Sequence, residues 1–117
     1  MTTKDTIQGY FSSLQQKRGW ESFLAEDMVF TIFASPNKQV RGRAAYLEAT
    51  KRFYAMIISV EVRDLLTDGP KACVLTRYEL RRPDGAVFVS DVAEIFGVSE
   101  GQISSLGIYF DSAPFPK

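Results

Sequence analysis

Arg82-Pro83-Asp84-Gly85-Ala86 lies between two runs in which apolar and polar residues alternate, one ending at Arg81 and the other starting at Val87. Pro83-Asp84-Gly85 fits a type I turn followed by a glycine in the left-handed conformation, the common three-residue hairpin loop. That loop pairs Arg82 with Ala86, and counting outward sets the register of the hairpin. On one face Leu80 stands opposite Phe88, Tyr78 opposite Ser90, Thr76 opposite Val92 and Val74 opposite Glu94. On the other, Arg81 faces Val87, Glu79 faces Val89, Arg77 faces Asp91 and Leu75 faces Ala93.

The period of two continues on both sides. From Ile58 onward it marks strands at about 58–67, 71–82 and 86–98, and a fourth at about 102–110, rich in the β-branched and aromatic residues that suit a pleated, half-buried surface. Asp68-Gly69-Pro70 and a tight Glu100-Gly101 turn supply the other reversals. Upstream the period is helical. Ile7, Tyr10, Phe11 and Leu14 fall at i, i+3, i+4 and i+7, which predicts an amphipathic helix from about Thr6 to Lys17, broken by Gly19. Trp20 to Leu24 reads as a short helical turn, Met28 to Phe33 as a strand, and Ser35-Pro36-Asn37-Lys38 as a turn. A further helix is expected from Arg43 to about Tyr54, with Tyr46, Ala49, Thr50, Phe53 and Ile57 on one face. Helices, a strand, a helix and then a strand meander predict an α+β fold, N-terminal helices packed on a curved, mostly antiparallel sheet. One domain over residues 1–117 is expected, since a chain of this length buries roughly two-thirds of its unfolded surface.

Glu94 breaks the alternation. It shares a face with Val74, Tyr78, Phe88, Val92 and Phe96, and no Lys or Arg lies beside it in this register. A carboxyl in apolar surroundings has its pKa raised by desolvation, and once protonated it becomes a hydrogen-bond donor. Asp91, by contrast, faces Arg77 as a surface ion pair. A slip of one residue would exchange the two faces and turn Asp91 inward.

Composition excludes more than it implies. Lys plus Arg and Asp plus Glu are 14 each, so no net field draws the chain to nucleic acid or an acidic membrane. Histidine is absent, which removes Ser-His and Cys-His nucleophile pairs and nearly all His-containing metal sites. No carboxylate cluster has calcium-loop spacing, and no glycine-rich nucleotide loop is present, so neither metal nor cofactor is expected. The single cysteine, Cys73, suits a reducing compartment. With no apolar leader and no run of about 18 apolar residues, a cytoplasmic protein is expected.

The chain resembles the SnoaL-like branch of the nuclear-transport-factor-2-like superfamily, which includes ketosteroid isomerase, limonene-epoxide hydrolase, scytalone dehydratase and polyketide cyclases. The residues that carry the resemblance are Tyr10-Phe11, Leu24 to Phe30, Gly42 to Tyr46, Glu94 to Ile103 and Ile108 to Asp111. It implies a cone-shaped barrel around an apolar pocket, usually in a dimer. It also implies where working groups would sit. In ketosteroid isomerases a strand-one Asp is the base, and the matching residue here is Ile32, or Phe33 if the following loop is aligned. Their oxyanion hole, a helix-one Tyr with a strand Asp kept protonated by its apolar site, matches Tyr10 and Glu94. In polyketide cyclases a last-strand Asp acts with a His at the position of Glu94, and the last-strand residue here is Ile108. Glu94 and Tyr10 are thus the candidate catalytic residues.

The expected pocket lining, beside those two, takes Trp20, Phe30, Ile32 and Phe53 from the N-terminal half. Tyr78, Phe88, Val92, Leu106, Ile108 and Phe110 come from the meander. Three functions follow as expectations. The first is binding of a small apolar or aromatic ligand anchored by Glu94. The second is an isomerase, cyclase or dehydratase reaction using Glu94 and Tyr10, although one acid cannot be donor and base in the same step. The third is a homodimer through the outer sheet face, where Leu75, Val87, Val89, Ala93 and Ile95 are rimmed by charges.

Overall fold

In the computed structural model, described for residues 2–34 and 36–115, two helices cover one face of a six-stranded sheet. Helix α1 (Thr3–Gln15) starts three residues before the expected Thr6, because Thr2 and Asp5 form a reciprocal cap. Thr2 Oγ1 accepts from the Asp5 amide, and the Thr2 amide donates to Asp5 Oδ2. The helix buries Ile7, Tyr10, Phe11 and Leu14. A single 3₁₀ turn, Trp20–Phe23, then leads into β1 (Leu24–Ile32).

Strand β2 (Lys38–Arg41) was not foreseen. Only Val40 of its four residues is apolar, and it is an edge strand, so the alternation that marks a half-buried strand is missing. Ser35 of the expected turn before it and Pro116 and Lys117 of the C-terminal tail lie outside the described residues. Helix α2 (Arg43–Met56) lies across β1 and β2. Strands β3 (Ile57–Asp68), β4 (Lys71–Arg81), β5 (Val87–Ser99) and β6 (Gln102–Phe110) complete the sheet in the order β2-β1-β6-β5-β4-β3. Every neighbouring pair is antiparallel except β1 with β6, which closes the meander against the N-terminal half.

The β4–β5 register is the one the hairpin loop dictates, from Leu80 with Phe88 through Val74 with Glu94. Gly85 sits at φ 90°, and its amide donates to the Arg82 carbonyl at 2.9 Å, while the Arg82 amide reaches the Ala86 carbonyl. Bulges interrupt β3 near Ser59 and Arg63, and β6 at Ser104, opposite Gly97 and Val98 of β5. Each adds a residue on one strand and bends it, which curves the sheet around the helices. The core between them is built from Ile7, Phe11, Leu24, Met28, Leu80 and Ile103, among others, each almost fully buried.

Candidate functional site

Glu94 lies mid-strand on β5 with its side chain on the inner face, 3% exposed. Its row across the sheet runs Ile32, Ile108, Glu94, Val74. Of the two positions that the family resemblance aligns with a working acid, Ile108 thus flanks Glu94 directly and Ile32 stands one strand beyond it, and both are aliphatic. Two hydroxyls from β4 reach the carboxyl instead. Thr76, diagonally opposite, donates to Oε2 at 2.8 Å, and Tyr78, whose longer side chain comes from one pair further along, donates to the same oxygen at 2.7 Å. Oε1 accepts no hydrogen bond among the described residues, and it is not sealed from the cavity beside it.

Burial raises the Glu94 pKa from its ordinary 4.5 to about 7, against the two hydroxyl donors, which pull it down. Because both donors hold Oε2 as an acceptor, the proton that titrates belongs to Oε1. Around neutral pH the cavity therefore faces either a carboxylate oxygen or an acid O–H.

The cavity itself, of about 160 Å³, lies between α2 and the inner face of the sheet. Phe30, Ile32, Leu106, Ile108, Val92 and Phe110 form its sheet wall together with Tyr78 and Glu94. Helix α2 supplies Tyr46, Ala49, Thr50, Phe53 and Tyr54, which recur at helical spacing. Phe115, from the chain after β6, completes the wall by packing its ring against Phe53, Phe88 and Phe110.

Three hydroxyls meet at the helical side. Tyr10 and Tyr54 are hydrogen-bonded at 2.9 Å, and Tyr46 is hydrogen-bonded to Tyr54. Burial is the first cause that pushes all three phenols well above their ordinary pKa, so they stay neutral. The negative charge of Glu94 adds to the same effect on each.

Of the residues expected to line a pocket, Phe30, Ile32, Phe53, Tyr78, Val92, Glu94, Leu106, Ile108 and Phe110 do so. Tyr10, Trp20 and Phe88 do not. Tyr10 is held in the core behind α2, edge-on to Phe11 and Phe96, and its hydroxyl meets Tyr54 rather than Glu94. Trp20 stacks flat on Tyr54, with ring centroids 4.0 Å apart, so the tyrosine stands where the indole was expected. Phe88 meets the back of Phe115 at 5.2 Å.

The residues the sequence reading left out of the pocket are Tyr46, Ala49, Thr50, Tyr54 and Phe115. The first three were visible on the face of Phe53 through their spacing. Phe115 belongs to a tail with no periodicity, and nothing local marks it. Among the described residues no group of three or more His, Cys, Asp or Glu could hold a metal. No described helix is long and apolar enough to cross a membrane.

The fold has many solved relatives. The epoxide hydrolase/cyclase-like enzyme SalBIII, with a role in pyran ring formation in the polyether salinomycin, superposes with a TM-score of 0.82 at 18% identity, over 93% of this chain and 90% of its own. A candidate ketosteroid isomerase from Kribbella flavida DSM 17836 gives 0.74 at 25% identity, over 98% and 82%. An NTF2-like protein of unknown function from Cytophaga hutchinsonii ATCC 33406 gives 0.76 at 20%, over 97% and 94%. The architecture is thus the α+β cone of the NTF2-like proteins. Among curated protein sequences none matches the chain. The SnoaL-like domain profile does match, over residues 7–106 of the 117, and the chain belongs to that family.

Proposed function

We propose that this protein binds a small apolar or aromatic ligand in the cavity between α2 and the sheet, with Glu94 as its polar anchor. The observation that carries the proposal is the one-sided satisfaction of a buried carboxyl: two donors on Oε2, none on Oε1, and apolar space in front of it. Buried polar atoms are normally paired, and an unpaired one on a cavity wall calls for a partner from outside the chain. An apolar lining with few polar groups is also the usual make-up of a ligand site. Thermal-shift screening of apolar and aromatic compounds tests this. A ligand at a hundred times its Kd adds about 2.7 kcal/mol to stability, and Glu94→Gln is expected to shrink that gain. A panel that leaves the midpoint unmoved, together with a crystal structure showing a filled core, would end the proposal.

A second reading is supported by the Glu94 pKa of about 7. A group with that pKa takes up and returns a proton at neutral pH. An isomerase-, cyclase- or dehydratase-type reaction would then use Glu94 for proton movement, with Tyr10 acting through its bond to Tyr54. Unchanged turnover by Glu94→Gln on a substrate found in the screen would rule this out.

Association belongs to the same proposal. Leu75, Val87, Val89 and Ile95 are exposed on the outer face beside the Arg77–Asp91 pair, which supports an isologous homodimer through that face. Sedimentation as a monomer at micromolar concentration would remove it. The lone Cys73 supports a cytoplasmic setting.

A further inference from the structure

The three tyrosines at the helical side of the cavity hold one more hydrogen than they can use. Tyr10, Tyr46 and Tyr54 carry three O–H groups and share two hydrogen bonds, and each bond consumes one hydrogen. Among the described residues these hydroxyls have no other hydrogen-bond partner.

The third hydrogen falls on the cavity side of the cluster. Tyr10 is 1% exposed and absent from the cavity wall, so its hydrogen has nowhere to go but Tyr54. A buried donor left unpaired is costly. Tyr54 then either donates to Tyr46, which frees the Tyr46 hydrogen, or accepts from Tyr46 as well, which frees its own. Both residues line the cavity. In either arrangement the spare O–H belongs to the cavity and not to the core.

We infer that Tyr46 and Tyr54 together form a second polar anchor, a hydrogen-bond donor for an oxygen acceptor on a ligand whose enclosed part is about one six-membered ring. This rests on the ligand-binding reading above and deepens it. The size of that enclosed part follows from the volume: about 160 Å³ is close to that of a known apolar protein cavity, about 150 Å³, which admits benzene. No hydrogen bond joins this donor to Glu94, so the cavity presents two separate polar points on an otherwise apolar wall. A cyclic ketone or ether meets the donor with its oxygen and the wall with its ring.

Shape-matched probes test the donor. Cyclohexanone and methylenecyclohexane differ in having an oxygen or a methylene on the same ring. Their affinities are measured at pH 9, where Glu94 is a carboxylate and cannot donate while the buried phenols keep their hydrogens. Binding is read from Trp20, the chain's single tryptophan, which stacks on Tyr54. The ketone is expected to bind about tenfold tighter, with its carbonyl stretch moved to lower frequency. Tyr46→Phe should preserve the preference, because Tyr54 then keeps its own hydrogen free, whereas Tyr46→Phe with Tyr54→Phe should bring the ratio to about one. Equal binding of the two probes by the unaltered protein, or an unshifted carbonyl stretch, overturns the donor and leaves the cavity reading standing. Failure of both probes to bind overturns the cavity reading along with it. If the double variant does not fold, the ratio and the stretch in the unaltered protein still decide.

Discussion

Glu94 and Asp91 are three residues apart on one strand, and they are opposite in almost every physical respect. Asp91 points outward, where Arg77 reaches it with two hydrogen bonds, at 2.8 and 3.1 Å, and that pairing lowers its pKa. Glu94 points inward, has no cation beside it, and is pushed up to about 7 by burial. The contrast teaches that the face of the sheet, not the type of acid, decides what a carboxyl does here. On the outer face the charge is solvated and paired. On the inner face it is a proton acceptor held in apolar space.

The largest expected effect is on stability against pH, and it separates the two acids cleanly. Below pH 4.5 the folded and unfolded chains both hold the Glu94 proton. Between 4.5 and about 7 only the folded chain does, so stability falls as pH rises across that window and levels off above it. A gap of this size corresponds to about 3 kcal/mol. Denaturant titrations should show this loss in the unaltered protein, and Glu94→Gln should flatten it, leaving the variant more stable at pH 8 and similar at pH 4.5. A slope that survives in Glu94→Gln would show that another group carries it.

A smaller effect is expected from Tyr78→Phe, which takes one of the two donors from Oε2. The cost should be about 1–3 kcal/mol at pH 8, where the carboxylate needs both donors, and less at pH 5. The midpoint of the stability slope should also move to higher pH. Equal losses at both pH values would mean that the ring's packing, not its hydroxyl, matters.

The smallest effect belongs to the outer acid. Asp91→Asn and Arg77→Gln should each leave the unfolding midpoint within measurement error at pH 7, since both side chains are open to water. A clear loss in either variant would show that the pair contributes more than a solvated rim contact does, and sedimentation of the same variants would test whether association through that face is the cause.

The contrast between the acids is legible in the sequence because the hairpin loop is a local device. Pro83, Asp84 and Gly85 set the turn, the turn sets the register, and the register assigns Glu94 and Asp91 to opposite faces. The helical periods were legible for the same reason, although the Thr2–Asp5 cap moved the start of α1 forward. Strand β2 was not, because an edge strand with one apolar residue in four carries no pattern to read.

The site shows the same division. Glu94 could be named from strand spacing, and the aliphatic Ile32 and Ile108 in its row from the family resemblance. Of its actual donors, Thr76 and Tyr78, both lay on the right face and Tyr78 was expected on the pocket wall, but neither was marked as a partner of Glu94. The hydroxyl contacts of Tyr10, Tyr46 and Tyr54 join α1 to both ends of α2, across separations that no local pattern encodes. By itself the sequence determined the α+β order of elements, the register of the central hairpin and the inward face of Glu94, because turn chemistry and side-chain alternation act over a few residues. Only the tertiary structure decided that Tyr54 takes the place expected for Trp20, that Tyr10 lies behind the cavity, and that Phe115 forms part of its wall. Those outcomes depend on how whole elements pack across the sheet, where shape and hydrogen-bond satisfaction choose among arrangements that the local sequence leaves equal.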